Sequence, residues 1–489
     1  MNGKVILLVA AALFAGLDAM AQESVPQQDT SSAPKLINLE QALQIALSEN
    51  ASVKVADMEI ERTGYARKGT YAALFPQIDG NASYQRTIEK QVMYMDFDMG
   101  SMGGSTGDGT ESGETTAPSA SNNGIEVGRW NTWSAGITAS MPLVNAQLWK
   151  SLKISDQDVE LAVEAARSSR LEMVNQVKQA YFACLLAKEA FEVYKSVYEN
   201  ALENYNLTEM KYNARKASEL ELTRAKTTLA NAVPDVYNAE SSVILSLWQL
   251  KAVMGVDLDE NIDVAETLED YANRMLGDIA DSSSDTLSLE NNSTMRQLAI
   301  QAEQLANTIK MQQYANIPTL SLSFSYNFNA MTNDFNFSEY RWSPYSYVGV
   351  TLQIPIFAGG QRHNAIRQAK VQAAELDVQR ADTERQLRIS IRQNLNQMET
   401  AMKSYGASLT ALESAEKAYN ITAKSYEVGS STLTDLNDAQ LAYTQSQLAV
   451  SQAIYDFVIA KSSLESTVGA DFIDDEGNVQ LNNTYDNNE

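Results

Sequence analysis

Cysteine and histidine, two residue types common in catalytic and metal sites, are nearly absent from this sequence. There is one cysteine, Cys184, and one histidine, His363. We find no histidine- or cysteine-rich metal site and no cysteine–histidine nucleophile pair. We also find no phosphate-binding loop in the sequence. We therefore expect no enzyme activity, no metal site and no cofactor. Cys184 lies in a helical stretch, where a small buried apolar side chain is expected rather than a reactive thiol.

Asp435 and Asp438 form a pair of carboxylates near the start of the last predicted helix. Their spacing of three residues places both on one face of that helix. Acidic side chains near a helix N-terminus interact favourably with the helix dipole, so one interpretation is two solvated carboxylates at a helix start.

The overall composition is that of a large acidic protein with ample apolar surface. The chain has 489 residues, a net charge of −25 and 44% hydrophobic residues. We expect no nucleic-acid partner, because binding to phosphates requires basic patches. The negative charge either keeps the surface soluble or lines a lumen that favours cations, and the composition leaves both open.

The N-terminus predicts export of the chain. Lys4 provides a basic start, Val5 to Leu17 form a short apolar core, and Ala19-Met20-Ala21 fits a small-x-small cleavage site. These features predict a secretory signal peptide at residues 1–21 rather than a membrane anchor. The cleavage site carries no cysteine, so no lipid anchor is expected there. Residues 22–75 are assigned to an N-terminal segment and the first short helices.

Internal repetition is the most informative feature, because the chain contains two copies of one plan. In each copy, a proline, Pro76 or Pro318, opens a strand after the short helices. From Leu320 to Asn329, apolar and polar residues alternate, which indicates a strand with one apolar face. A second amphipathic strand follows in each copy. We assign the two hairpins to residues 76–145 and 318–358. The first has a loop rich in Gly, Ser and Thr, expected to be mobile, at about 93–128.

A very long helix follows each strand pair. Residues 146–212 contain neither Gly nor Pro, and the run from about 361 to 428 contains only Gly406. In the second run, apolar residues step by three and four positions from Leu387 to Leu412, as in a coiled coil. About 67 helical residues extend roughly 100 Å, which a compact globule does not accommodate. We assign the two long helical hairpins to residues 146–254 and 359–469, and a short helix of the second repeat to residues 291–317. The segments after the hairpins are acidic and polar, at residues 255–290 and 470–489.

Four strands from one chain are too few to close a barrel in a membrane. Open sheet edges are not tolerated in lipid, so a lipid-facing sheet requires several chains. Three chains give twelve strands, an even number within the range of known membrane barrels. Aromatic residues near the strand ends fit an interfacial girdle; they are Trp130, Trp133, Tyr340, Trp342, Tyr345 and Tyr347. The alternative is a β-sandwich with these residues in its core.

At this point the sequence resembles the TolC-like outer-membrane efflux family, over almost the whole mature chain. The resemblance is carried by the opening Asn38–Leu43, the two proline-initiated strands, Ile354–Gly360 (IPIFAGG) and Tyr426–Ala439 (YEVGSSTLTDLNDA). It implies an α+β membrane protein, namely a trimeric 12-stranded outer-membrane β-barrel with four strands per protomer. A long periplasmic α-helical coiled-coil barrel would continue from it. An equatorial domain would contain residues 255–290 and the C-terminal tail.

The resemblance also implies a function in the cell outer membrane, with the helical portion in the periplasm. The chain would be an exit duct for efflux or secretion of small molecules or polypeptides. Its partners would be two further copies of itself in a homotrimer, outer-membrane lipid, a periplasmic adaptor (membrane fusion) protein, and an inner-membrane efflux transporter or secretion ATPase. The alternative is a non-conducting trimeric surface stalk or adhesin.

Residue by residue, the match places Asp435 and Asp438 at the periplasmic entrance of the pore, where three copies would give a ring of six carboxylates that favours cations. The alternative is that both are solvated carboxylates at the start of a helix. It assigns the gate contacts to Tyr426 and to Glu221, whose carboxylate can accept a hydrogen bond from a tyrosine hydroxyl. Ser431 stands where a family member has an arginine, so the charged half of this contact is missing or replaced.

The two hairpin tips, about 211–222 and 426–438, are assigned by the same resemblance to docking of the adaptor. Tyr212, Arg215 and Gly429 are the tip residues that we single out. Arg215 replaces the glycine that the first repeat would be expected to have at this position.

Overall fold

The computed structural model describes residues 34–93, 125–272 and 288–469. The predicted signal peptide, most of the loop at about 93–128, part of the segment 255–290 and the acidic tail at 470–489 lie outside the described residues. The chain divides into two compact units, each built from three separate stretches. The first unit is Met1–Glu49, Gln176–Ile279 and Thr400–Ile459, and the second is Asn50–Asn175, Ala280–Glu399 and Ala460–Glu489.

The helices and strands follow one another in two similar series. The first series is β1 (Lys35–Ile37), α1 (Leu39–Glu49), α2 (Ala51–Ala72), β2 (Gln77–Arg86), β3 (Gln91–Met93), β4 (Ile125–Val127), β5 (Asn131–Val144), α3 (Ala146–Asn213) and α4 (Glu219–Met254). The second series is β6 (Ile262–Val264), α5 (Ser293–Tyr314), β7 (Thr319–Thr332), β8 (Ser343–Gln353), α6 (Gln361–Glu427) and α7 (Leu433–Val468). Each series thus runs from a short helix through two long strands to a pair of long helices.

The long strands form one antiparallel sheet in the second unit, in the order β2-β5-β7-β8. The two expected hairpins pair internally, β2 with β5 and β7 with β8, and β5 also pairs with β7, which joins them. Gly136 lies on the join, where a Cβ atom would come within 2.0 Å of the side-chain oxygen of Asn327. The glycine therefore allows the two central strands to approach closely.

Aromatic side chains gather at one end of this sheet. Trp133 of β5 packs against Tyr84 of β2 with the two rings tilted by 34° and their centroids 4.3 Å apart, and it meets Phe337 edge-on at 4.8 Å. The Tyr84 hydroxyl donates to the Asn131 side chain at 2.9 Å. Tyr340 is buried beside Phe337, with the two ring centroids 4.8 Å apart. These contacts fix the segment after β7 against the end of the sheet.

The first unit contains a two-stranded parallel sheet that the sequence did not indicate. β1 pairs with β6, with Lys35 opposite Ile262 and Ile37 opposite Val264. β6 lies within residues 255–290, the acidic, polar segment that follows the first helical hairpin. Strands of three residues are too short to show a period, which explains why the pattern missed them.

A partly buried hydrogen-bond network lies next to this small sheet. Glu266 accepts hydrogen bonds from the hydroxyls of Tyr181 and Tyr271, both at 2.7 Å, and from the backbone N–H of Leu39 at 3.2 Å. Burial, together with the neighbouring Glu266 carboxylate, raises the pKa of Tyr181. Cys184 is fully buried as expected, and burial raises the pKa of its thiol. The N-terminal strand is thereby fixed to α3.

The long helix α6 buries the apolar stripe that its sequence predicts. Of the eight stripe positions from Leu387 to Leu412, Leu409 alone is exposed and the other seven are buried or half-buried. Within the described residues, none of the helices carries an apolar stretch that is sufficient to cross a bilayer.

Candidate functional site: the two hairpin tips

Both predicted tips lie in the first unit. We call residues 211–222, between α3 and α4, the first tip, and residues 426–438, between α6 and α7, the second tip. α3 ends with hydrogen bonds from the N–H of Lys216 to the carbonyl of Lys211 at 2.7 Å and from the N–H of Arg215 to the carbonyl of Tyr212 at 2.8 Å. This pair of bonds is a Schellman ending, and it requires a left-handed residue just after the helix.

The second tip ends its helix in the same way. The N–H of Ser430 bonds the carbonyl of Ser425 at 2.8 Å, and the N–H of Gly429 bonds that of Tyr426 at 3.1 Å. Gly429 takes the left-handed position with φ +84°, and Arg215 takes it in the first tip with φ 56°. A side chain at such a φ places its Cβ too close to the backbone, so the arginine is held there at a cost. Arg215 therefore occupies a backbone conformation that favours glycine, which agrees with the glycine expected at this position from the sequence.

A capping box opens the second helix of each hairpin. In the first tip the N–H of Ser218 donates to Glu221 at 2.8 Å, and the N–H of Glu221 donates to the Ser218 hydroxyl at 3.2 Å. In the second tip Thr432 and Asp435 exchange the same two bonds, at 3.0 and 3.2 Å. Each box satisfies two backbone donors that the start of a helix leaves unpaired.

The two carboxylates predicted to line a pore entrance are both exposed at the start of α7. Asp435 accepts hydrogen bonds from the hydroxyls of Thr432 at 2.7 Å and Ser431 at 3.2 Å. These bonds, that from Thr432 above all, hold the pKa of Asp435 below its ordinary value of 3.8. Asp435 thus has the helix-start role that the sequence allowed, and Asp438 lies exposed one turn further along the same helix.

Tyr426, the predicted gate tyrosine, is 5% exposed and packs with Ala225, Leu433 and Leu436. Its hydroxyl lies 2.6 Å from that of Thr208, which is fully buried on α3. The Lys211 ammonium donates to the backbone carbonyl of Tyr426 and lies 4.0 Å from the centre of its ring. Tyr426 of the second hairpin is therefore held by two side chains of the first.

The structure assigns different partners to the other two predicted gate residues. The Glu221 carboxylate caps its own helix through Ser218, and the Ser431 hydroxyl donates to Asp435. Glu221 acts on Lys211 electrostatically, favouring its charged form, although burial has the larger effect and lowers the pKa of Lys211. Sequence comparison with the family motif did not point to Thr208 or Lys211, which lie one turn apart on α3. Their three-residue spacing on one helix face was the available signal.

The three residues singled out for docking are accessible. Tyr212 is 39% exposed, Arg215 is exposed, and a Cβ on Gly429 would meet nothing within 4 Å. The tips therefore offer side chains and open backbone to a partner.

Comparison with known proteins gives a consistent family. The sequence profile of the outer membrane efflux protein family matches residues 42–256 and 286–470. The outer membrane protein TolC of Vibrio cholerae is 23% identical over 343 residues, which cover 69% of this chain and 76% of the relative. The alkaline protease secretion protein AprF of Pseudomonas aeruginosa is 23% identical over 355 residues, which cover 72% of each chain.

Solved structures share the fold. The Campylobacter jejuni CmeC outer membrane channel superposes with a TM-score of 0.66 at 19% identity, over 94% of this chain and 92% of that one. The outer membrane protein VceC of Vibrio cholerae gives 0.66 at 16% identity, over 88% and 96%. The profile covers most of the chain in two blocks, one for each repeat, and the helix-dominated α+β fold agrees with it. The chain therefore belongs to the outer membrane efflux protein family, as an exit channel of the outer membrane with its helical portion in the periplasm, and not as an enzyme.

Proposed function

We propose that three copies of this chain form one duct that carries molecules from the periplasm to the outside. The observation that carries the proposal is the sheet with two open edges. β2 and β8 are its outer strands, and every residue of β2 is exposed. On β8 the apolar Val348 and Val350 are 71% and 62% exposed. Such a sheet satisfies its backbone groups in lipid only when its edges are closed.

Strand direction supports closure by identical copies. The sheet alternates in direction through β2, β5, β7 and β8, so β8 of one copy beside β2 of the next continues the antiparallel pattern. Three copies give the twelve strands of a closed barrel. The helices α3, α4, α6 and α7 would form the tunnel below it. We assign β1, β6 and the Glu266 network, with the rest of residues 255–290 and the C-terminal tail, to the equatorial domain.

We assign Asp435 and Asp438 to the periplasmic entrance of this duct. Both carboxylates are exposed at the second tip, and the hydrogen bonds to Asp435 favour its charged form. Three copies would place six carboxylates around the opening, an arrangement that attracts cations.

The two tips would dock a periplasmic adaptor, through which an inner-membrane efflux transporter or secretion ATPase supplies the energy. Exposure of Tyr212, Arg215 and Gly429 supports this role. The family profile is named for efflux and one relative for secretion of an alkaline protease, so the cargo class extends from small molecules to polypeptides.

Imaging of the detergent-extracted protein tests the assembly. A hollow particle with threefold symmetry is the expected result. A single chain would rule out the duct and the trimeric stalk alike, and a threefold particle with a filled centre would rule out the duct and favour the non-conducting stalk.

The entrance ring is tested separately, by block of ion flow with a multivalent cation. Substituting asparagine for both Asp435 and Asp438 should weaken the block. Asp456→Asn is the matched control, because Asp456 is an exposed acid further along the same helix. If the multivalent cation blocks the double variant and the Asp456→Asn control equally, Asp435 and Asp438 do not form the entrance ring.

A further inference from the structure

The hydroxyl bond between Tyr426 and Thr208 has a defined direction. The Thr208 hydroxyl also lies 2.7 Å from the backbone carbonyl of Asn204, which can only accept a hydrogen bond. Because Thr208 has a single hydroxyl hydrogen, it donates to that carbonyl, and Tyr426 donates to Thr208. The Tyr426 hydroxyl therefore donates its hydrogen to Thr208 of α3 and cannot donate it to a carboxylate at the same time.

Lys211 adds a second attachment to the same tyrosine. Its ammonium reaches the carbonyl of Tyr426 at the end of α6, where helix carbonyls carry partial negative charge. It also lies over the ring at 4.0 Å, within the range of a cation–π interaction, which strengthens when the cation is partly desolvated. Lys211 is half-buried, and its other charged neighbours are Glu221 of α4 and Glu427 of α6.

We infer that Thr208 and Lys211 of α3 form a clamp on Tyr426 that holds the second tip in its closed position. The family motif suggested Glu221 and Ser431 for this contact, but Glu221 caps α4 and the Ser431 hydroxyl donates to Asp435. The clamp joins the last two turns of α3 to the last turn of α6, whereas those two contacts each lie within one tip. Thr208 and Lys211 are therefore positioning residues for the entrance.

The clamp has a mechanical consequence, which rests on the proposed duct. The second tip carries Asp435 and Asp438, and it is joined through Tyr426 to the first hairpin. Any movement that separates the two hairpins at the tips must remove the tyrosine from its apolar pocket and break both attachments. The clamp therefore sets how often the entrance opens without a partner.

Conductance of the full-length protein in planar bilayers tests the clamp with matched pairs. Lys211→Met and Thr208→Val should each raise the open fraction about twofold to tenfold, the range expected for loss of one buried polar contact. The controls are Lys216→Met, which removes an exposed lysine of the same tip, and Thr227→Val, which removes a similar hydroxyl bond to the carbonyl four residues earlier. Lys211→Arg keeps the cation and should stay close to the wild type.

Hydrogen exchange of second-tip amides in the same proteins separates the clamp from the duct. Lys211→Met and Thr208→Val should speed this exchange by a similar factor, while the controls leave it unchanged. If neither the wild type nor the clamp variants conduct, the duct is ruled out, and hydrogen exchange still tests the clamp. If Lys211→Met exchanges and conducts like Lys216→Met, the clamp is overturned.

Discussion

The two helical hairpins end in turns with the same backbone hydrogen bonds but with different anchoring. In both tips a tyrosine carbonyl accepts the bond that closes the helix, from Arg215 to Tyr212 and from Gly429 to Tyr426. Tyr426 is buried at 5% exposure, whereas Tyr212 is 39% exposed. The turn geometry is thus set by the backbone and the capping boxes, and the side-chain environment decides which tip is fixed to its neighbour.

The charges of the two tips also differ. The first tip carries three cations, Lys211, Arg215 and Lys216, together with two acids at 219 and 221, whereas the charged residues of the second tip are all acids, at 427, 435 and 438. A docking partner would therefore meet a first tip of mixed charge and an acidic second tip. In the proposed duct, the entrance carboxylates lie in the second hairpin and the clamping cation lies in the first.

The largest expected difference in stability between the two tips comes from replacing their tyrosines. Tyr426→Ala removes a buried ring and its hydroxyl bond, which should lower the free energy of local unfolding at the second tip by about 3 kcal/mol. Tyr212→Ala removes an exposed ring and should cost about 0.5 kcal/mol or less. Hydrogen exchange of the tip amides measures both. Equal costs would mean that the two tips are anchored alike.

A smaller effect is expected from exchanging the left-handed residues. Gly429→Arg forces a side chain into φ +84° and should destabilise its turn by about 1–2 kcal/mol. Arg215→Gly relieves the same conformation and should stabilise the first tip by about 0.5–1 kcal/mol, because the gain is reduced by the greater freedom of glycine in the unfolded chain. Denaturant unfolding of each variant against wild type checks the signs. A stabilising Gly429→Arg would contradict the assigned turn.

The smallest expected effect is a difference in pH dependence. Hydrogen bonding lowers the pKa of Asp435, so its contribution to the second tip is present above the ordinary carboxyl pKa and is lost as the pH falls through the lowered one. The protection of amides at the start of α7, measured against their intrinsic exchange rates at each pH, should therefore fall below about pH 4 in the wild type. Asp435→Asn should flatten this dependence. If the pH dependence is unchanged in Asp435→Asn, a group other than Asp435 causes it.

Sequence patterns were sufficient for the long elements and insufficient for the contacts between them. The stripe from Leu387 to Leu412 and the alternation from Leu320 to Asn329 are periodic, so α6 and β7 could be predicted from composition and spacing alone. β1 and β6 have three residues each and pair across the sequence, which leaves no local signal.

The candidate site shows the same limit. Tyr426, Asp435 and Gly429 could be singled out because they lie in one recognisable motif. The partners of Tyr426 could not be predicted in this way. Thr208 and Lys211 reach Tyr426 through packing of α3 against the second hairpin. The motif contains no information about which side chain of another helix lies there.

The central proposal, a conducting duct, is tested most directly by single-channel recording of the purified wild-type protein in a planar bilayer. The duct predicts discrete ionic current steps through each inserted trimer, with cations passing in preference to anions. Threefold particles that insert into the bilayer and yet pass no ions, in the wild type and in the clamp variants alike, would contradict the duct and favour the stalk.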